Sequence, residues 1–254
     1  MKLFFKSVFV CMQSDGANML SPTLFLEVPE CNLLCKNDES NSFCEFSALG
    51  SNNCTKKYYE NDVKKTLSKH QHINKIYIYG GEPLLYKEQL EALLNDIWTD
   101  GMEITICTNG TLPILNPLSY RYRVKRYIVN LCEKVLPIAG EKCIKNGKEI
   151  ILGTSDVEAL KTHDYAMLKN LCMYANDFVL CFGTRDLADL PKYTEDTVLA
   201  IEQDEDEFVS SFLQKHSIRN RIAYMPIDES QVQPLKELCL STGISFCDVR
   251  CYKY

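Results

Sequence analysis

The sequence predicts an α/β fold of barrel-like arrangement. Three observations predict it. The hydrophobic period switches repeatedly between two and about 3.6 residues, the mark of strands alternating with helices. Three chemically loaded loops, 31–44, 80–83 and 108–111, each follow the C-terminal end of an apolar strand pattern. In barrel-like α/β folds those ends converge on one face, and that face holds the site.

The elements follow in order. The opening run Met1-Lys2-Leu3-Phe4-Phe5-Lys6-Ser7-Val8-Phe9-Val10 looks like a signal peptide, but Lys6 interrupts it and no small-residue cleavage site follows. It reads as a first strand. Leu24, Leu26 and Val28 alternate into a second strand that runs straight into the cysteine loop. Residues 56–70 read as a polar helix with His70 and His72 at its end, and 76–79 as a strand ending at Gly80-Gly81. Leu90, Leu93, Leu94, Ile97 and Trp98 sit at helical spacing and form one apolar stripe. Residues 103–107 form the next strand, ending at Thr108-Asn109-Gly110.

The second half is less regular. A basic stretch, 121–146, contains a strand near 127–131; a helix over 157–175 precedes a strand at 178–182. A helix at 205–216 leads to a strand at 221–227, and a helix bearing Val232, Leu235, Leu238 and Cys239 leads to a strand at 244–249. No linker, low-complexity tract or repeat interrupts the chain, so residues 1–254 are expected to form one domain, with the chemistry in 1–111.

Composition narrows the function. Hydrophobic residues make up 46% and charged residues 24%, enough for an ordinary globular core. The formal charge of −6 argues against broad nucleic-acid affinity, which needs a basic footprint. The acidic run 202–207 suits the solvated start of a helix. No stretch approaches the ~20 apolar residues of a membrane-spanning helix. Thirteen scattered cysteines do not make a secreted disulfide framework; they fit a reducing, cytoplasmic setting with some thiols on a metal.

Cys31-Asn32-Leu33-Leu34-Cys35, with Phe43-Cys44 beyond it, places three thiols around a polar, turn-rich loop. Three thiolates can hold three irons of a [4Fe–4S] cube and leave the fourth open to a small molecule. A zinc site completed by Cys54 and a set of unliganded thiols are the alternatives, although no spacing is CxxC. Gly80-Gly81-Glu82-Pro83 lets backbone approach a ligand closely, adds a carboxylate suited to an ammonium group, and stiffens the turn. Thr108-Asn109-Gly110-Thr111 offers a polar loop, although Asn-Gly is also a common turn. Cys239, Cys247 and Cys251 read as buried thiols rather than a second cluster.

Together these motifs resemble the radical S-adenosylmethionine (SAM) superfamily and, within it, the 7-carboxy-7-deazaguanine synthase family. The resemblance runs from Phe9 to Thr111, with Gln13-Ser14-Asp15-Gly16 similar to an entry segment, and later extends loosely to Tyr224-Met225-Pro226. It implies a radical SAM partial (β/α) barrel, reduced in size, and a [4Fe–4S] cluster on Cys31, Cys35 and Cys44. It also implies a SAM site at Phe43, Gly80, Gly81, Glu82, Pro83, Thr108 and Asn109, and a lyase reaction of 7-deazaguanine biosynthesis begun by a 5′-deoxyadenosyl radical. The implied partners are a small-molecule, pterin-like or altered, substrate and a flavodoxin- or ferredoxin-like electron donor, with no nucleic acid or membrane; a homodimer is allowed. By position, Gln13, Asp15, Glu27 and Tyr79 would face substrate.

Several residues depart from the family pattern. Glu27 stands where an Arg would pair with the substrate carboxylate, inverting the charge. Tyr79 replaces a Thr, Glu45-Phe46 replaces an Asp-Thr that serves magnesium, and 130–134 replaces a Ser-Pro-Lys segment. The implied chain is a diverged member that keeps its cluster and SAM parts while its carboxylate and magnesium parts are altered. A glycyl-radical-type activating enzyme and a non-catalytic binding protein on the same scaffold are the competing expectations.

Overall fold

The computed structural model of the protein describes residues 3–12, 21–33, 56–115, 124–131, 142–145, 148–151, 166–226 and 229–247. Its centre is an eight-stranded sheet in the order β1-β2-β3-β4-β5-β8-β9-β10. The strands are β1 (Ser7–Met12), β2 (Pro22–Val28), β3 (Lys75–Gly80), β4 (Glu103–Thr108), β5 (Val124–Asn130), β8 (Phe178–Phe182), β9 (Ile222–Tyr224) and β10 (Ser245–Phe246). A separate hairpin joins β6 (Lys142–Lys145) to β7 (Lys148–Ile151). β1 runs antiparallel to β2, and every later neighbour in the main sheet is parallel.

The strand order never reverses. A doubly wound sheet reverses at a switch point and places helices on both faces; here the described helices stay on one. They are α1 (Glu60–Lys69), α2 (Lys87–Ile97), α3 (Ala166–Tyr174), α4 (Leu190–Glu202), α5 (Glu207–Leu213) and α6 (Val232–Thr242). The main core joins strand residues Leu24, Leu26, Ile76, Ile78, Ile104 and Ile106 to helix residues such as Val63, Leu90, Leu94, Val198 and Leu235. The opposite sheet face forms a smaller cluster of Phe25, Tyr77, Ile128, Cys181, Ala223, Met225 and Cys247, to which no described helix contributes. Parallel neighbours in unbroken chain order, with the described helices on one face, give a singly wound, partial (β/α) barrel.

Local chemistry sets the element boundaries. The Asp62 carboxylate accepts the Tyr59 N–H at 2.8 Å, fixing the entry to α1. Asp206 caps α5 by accepting the Phe208 and Val209 N–H groups at 2.9 and 3.4 Å. The acidic run therefore straddles a junction, with Glu202 closing α4 and Asp206 opening α5. That corrects the expectation of a single helix start.

The expected strands at 76–79, 103–107 and 178–182 agree with β3, β4 and β8 to within a residue at either end. α4 was not expected. Its buried stripe is Leu190, Thr194, Val198 and Ile201, and a threonine in that stripe weakens the apolar signal. Thr194 satisfies its hydroxyl by donating to the Leu190 carbonyl at 2.8 Å. The strand expected at 221–227 shortens to β9, and the one expected at 244–249 is described only as β10 with Cys247 beyond it. Cys239 packs in the helix-side core while Cys247 packs on the helix-free face, so the sheet lies between them.

Among the described residues, no helix is long and apolar enough to cross a membrane.

Candidate active site

The C-terminal ends of β2, β3 and β4 are adjacent, since Val28 pairs with Gly80 and Ile78 with Ile106. The three motif loops therefore meet at one edge. Backbone bonds join the first two: Gly81 N–H donates to the Val28 carbonyl at 3.1 Å, and Glu82 N–H to the Glu30 carbonyl at 2.6 Å. This contact is why the tandem glycine is needed. Gly80 has φ of +119°, a conformation that side chains disfavour, and a Cβ there would lie 2.5 Å from the Val28 carbonyl oxygen. A Cβ on Gly81 would lie 1.9 Å from the Glu30 carbonyl oxygen.

Glu82 joins the second loop to the third. It is fully buried. Its carboxylate accepts the Leu84 N–H at 2.9 Å, capping the short 3-10 turn Pro83–Tyr86, and the Asn109 N–H at 2.7 Å. The Thr108 hydroxyl donates to both carboxylate oxygens, at 2.9 and 3.0 Å. A buried carboxylate is tolerated only when donors replace its water, and three supply that here. Glu82 thus acts as an internal brace between loops.

The third loop reaches back to the first. Asn109 Nδ2 donates to Asn32 Oδ1 at 2.8 Å and lies 3.5 Å from Cys31 Sγ. Asn32 Nδ2 donates to the Thr111 hydroxyl at 2.8 Å, which in turn donates to Asn109 Oδ1 at 2.6 Å. Asn32, Asn109 and Thr111 form a closed ring beside the Cys31 thiol. Sequence reasoning missed Asn32, although its place between the two cysteines was the available signal. It also missed Tyr86, a buried residue whose phenol is raised first by burial and then by the neighbouring Glu30 carboxylate.

Of the other expected site residues, Pro83 is buried in its turn, while Tyr79 and Glu27 lie on the helix-free face as Cα partners. Gln13, Asp15, Cys35, Phe43 and Cys44 lie outside the described residues, as do Glu45, Phe46, Cys54 and Cys251. Among the described residues, no group of three or more His, Cys, Asp or Glu side chains could hold a metal ion. Cys31 itself suits a soft metal. It is a half-buried thiol just beyond the end of β2, with the Asn109 amide 3.5 Å from its sulfur.

Comparison with known proteins bears on this geometry. Over 106 residues the chain is 30% identical to 7-carboxy-7-deazaguanine synthase of Methanospirillum hungatei JF-1, covering 42% of each protein. It is 23% identical over 157 residues to the synthase of Koribacter versatilis, covering 62% of this chain and 60% of that one. Both of these similar proteins carry the name 7-carboxy-7-deazaguanine synthase. A third synthase, from Hyperthermus butylicus, is 26% identical over 106 residues and 42% of each chain. The matches thus span about half the length of these curated relatives. No family model matches the sequence. The crystal structure of QueE from Escherichia coli superposes with a TM-score of 0.48 at 17% identity, over 98% of this chain and 94% of that one.

Proposed function

We propose that this chain is a radical SAM enzyme of the 7-carboxy-7-deazaguanine synthase type, a lyase acting on a pterin-like or altered small molecule. The observation that supports it best is the interlock of the Cys31, Gly80–Glu82 and Thr108–Asn109 loops at the C-terminal ends of three adjacent parallel strands. Cys31, Cys35 and Cys44 would hold a [4Fe–4S] cluster. When bound, that cluster supplies the electron for reductive cleavage of SAM.

The chain's own residues then have separable tasks. Asn109 orients its amide toward the Cys31 sulfur, where it would hydrogen-bond a cluster-bound thiolate. Gly80 and Gly81 keep side-chain bulk away from the Cys31 loop and leave backbone groups for the methionine part of SAM. Because Glu82 already accepts from Leu84, Thr108 and Asn109, its first task is to hold those backbone groups in place. Pro83 and the Thr108 hydroxyl support the same brace, and Phe43 would adjoin the third thiol. Tyr79 and Glu27, with Gln13 and Asp15, would face the substrate from the helix-free side. A flavodoxin- or ferredoxin-like protein would donate the electron, and residues 1–254 would act as one unit in the cytoplasm.

Anaerobic reconstitution with iron and sulfide, then dithionite and SAM, tests the reading by quantifying 5′-deoxyadenosine. Product that disappears in Cys35→Ala supports it. A folded, iron-free protein that makes none overturns it.

A further inference from the structure

The hydrogen bonds that join Asn32, Asn109 and Thr111 all run one way round their ring. Asn32 Nδ2 donates to Thr111 Oγ1 at 2.8 Å, Thr111 Oγ1 donates to Asn109 Oδ1 at 2.6 Å, and Asn109 Nδ2 donates to Asn32 Oδ1 at 2.8 Å. A hydroxyl has one proton, so the bond given to Asn109 leaves Thr111 Oγ1 only its lone pairs for Asn32. The Thr111 N–H reinforces the arrangement by donating to Asn109 Oδ1 at 3.0 Å. Two donors therefore hold the Asn109 amide oxygen, and the network fixes which way each amide points. Reversing either amide sets donor against donor or acceptor against acceptor.

The consequence falls on Cys31. Asn109 Nδ2 carries two protons; one serves Asn32, and the second is available to Cys31 Sγ, 3.5 Å away. In the metal-free chain the Cys31 thiol also reaches Asn32 Oδ1, at 3.9 Å. That contact needs the thiol proton, which leaves when sulfur binds iron, whereas the Asn109 donor remains. Asn109 is buried, so water competes little for this donor.

We propose that Asn32 and Thr111 are positioning residues that raise the reduction potential of the cluster, by fixing the Asn109 amide as a donor to the Cys31 sulfur. An added electron increases the negative charge on the cluster's sulfurs, so a fixed donor stabilises the reduced form more than the oxidised one. Thr111 is the keystone, because its hydroxyl both accepts from Asn32 and donates to Asn109. That a cluster binds here rests on the radical SAM reading above; the orientation of the amide does not.

Two measurements on the whole 254-residue chain test this. The first is a dye-mediated potentiometric titration of the reconstituted protein without SAM, at equal iron content and native far-UV dichroism. Thr111→Val keeps the shape and removes the hydroxyl. It is expected to lower the reduction equilibrium constant at least about threefold, or about 30 mV for one electron at about 59 mV per tenfold. Asn32→Ala should shift the potential the same way, and Thr111→Ser should restore the parent value. Thr111→Val should add nothing in an Asn109→Ala background. The second measurement follows solvent exchange of the Asn109 side-chain amide protons in isotope-labelled, metal-free protein. Exchange should quicken at least about threefold in Thr111→Val and stay at the parent rate in Thr111→Ser.

An unchanged potential or unchanged amide exchange in folded Thr111→Val overturns the proposal. So does a Thr111→Val shift that persists in the Asn109→Ala background, or a Thr111→Ser variant that behaves like Thr111→Val. A parent chain that takes up no cluster sinks the radical SAM reading and the redox role with it, and the amide exchange then judges the orienting role of Thr111 separately.

Discussion

The Thr108 hydroxyl bridges both carboxylate oxygens of Glu82, at 2.9 and 3.0 Å, across two loops that lie 26 residues apart in sequence. The same carboxylate takes the Asn109 N–H, so one buried side chain sets the spacing of the β3 and β4 loop ends. Replacing Glu82 with Gln keeps the shape but turns one acceptor into a donor that faces donors. The expected cost is about 1–3 kcal/mol in urea unfolding of the metal-free protein, as for other buried groups left unsatisfied. Thr108→Val should cost less, about 1 kcal/mol, because the two backbone donors remain. Both variants should lower 5′-deoxyadenosine yield, Glu82→Gln the more strongly.

Gly81→Ala tests the closeness of the first two loops. Its Cβ would meet the Glu30 carbonyl at 1.9 Å, a backbone atom that cannot rotate away. The loops must separate, breaking the 2.6 Å bond from Glu82 N–H to that carbonyl. Reconstituted iron content should fall by half or more, while far-UV dichroism stays near that of the parent chain, because the change lies at a sheet end. Full iron loading in Gly81→Ala would show that the interlock does not shape the Cys31 loop.

How far the sequence could be read depended on how local each signal was. β3 and β4 were legible because Ile76, Ile78, Ile104 and Ile106 alternate cleanly and each strand stops at a glycine- or asparagine-bearing turn. The meeting of the three loops was legible too, since it follows from parallel order alone. The task of Glu82 was not. A carboxylate beside two glycines reads as a ligand group, and only the folded chain shows its oxygens occupied by Leu84, Thr108 and Asn109. The Asn32–Asn109–Thr111 ring was hidden for the same reason, as Asn32 lies 77 and 79 residues from its two partners. α4 was lost because Thr194 occupies a core position.

Burial predicts how stability depends on alkaline pH. The Cys172 thiol, on α3 against the helix-side core, is pushed up to about 12 by burial, and burial also raises Cys239. A raised folded value means that the neutral thiol is the form the fold accepts. Its contribution is complete below the unfolded thiol value of about 8.5 and is lost as pH rises toward the folded one. Unfolding free energy should therefore decline from about pH 8.5 upward, by at most about 1.4 kcal/mol per pH unit for each such group. Tyr86 and Tyr127, both raised first by burial, should steepen the fall above about pH 10. Urea titrations of Cys172→Ala should show a shallower decline between pH 8.5 and 10; an identical slope would remove Cys172 from the account.

Asp177 offers a control at the other end of the sheet. Its Oδ2 accepts Arg126 Nε at 2.6 Å, and its Oδ1 accepts Arg221 Nη1 at 2.5 Å, tying the starts of β5 and β9 to the entry of β8. Arg221 also lies over the Phe178 and Phe212 rings, at 4.8 and 5.3 Å. The three side chains are between a fifth and a third exposed. Asp177→Ala would leave two partly buried guanidinium groups facing each other without their shared acceptor. A fully buried pair broken this way loses about 3–5 kcal/mol; allowing for solvent screening, about 1–3 kcal/mol is expected here. The double variant Asp177→Ala/Arg126→Met should recover part of that loss, since it removes one stranded charge. Because this clamp sits opposite the motif loops, 5′-deoxyadenosine formed per folded molecule should match the parent chain at a temperature where both are folded. A large fall in yield with little change in stability would mean that the strand N-termini also position the site.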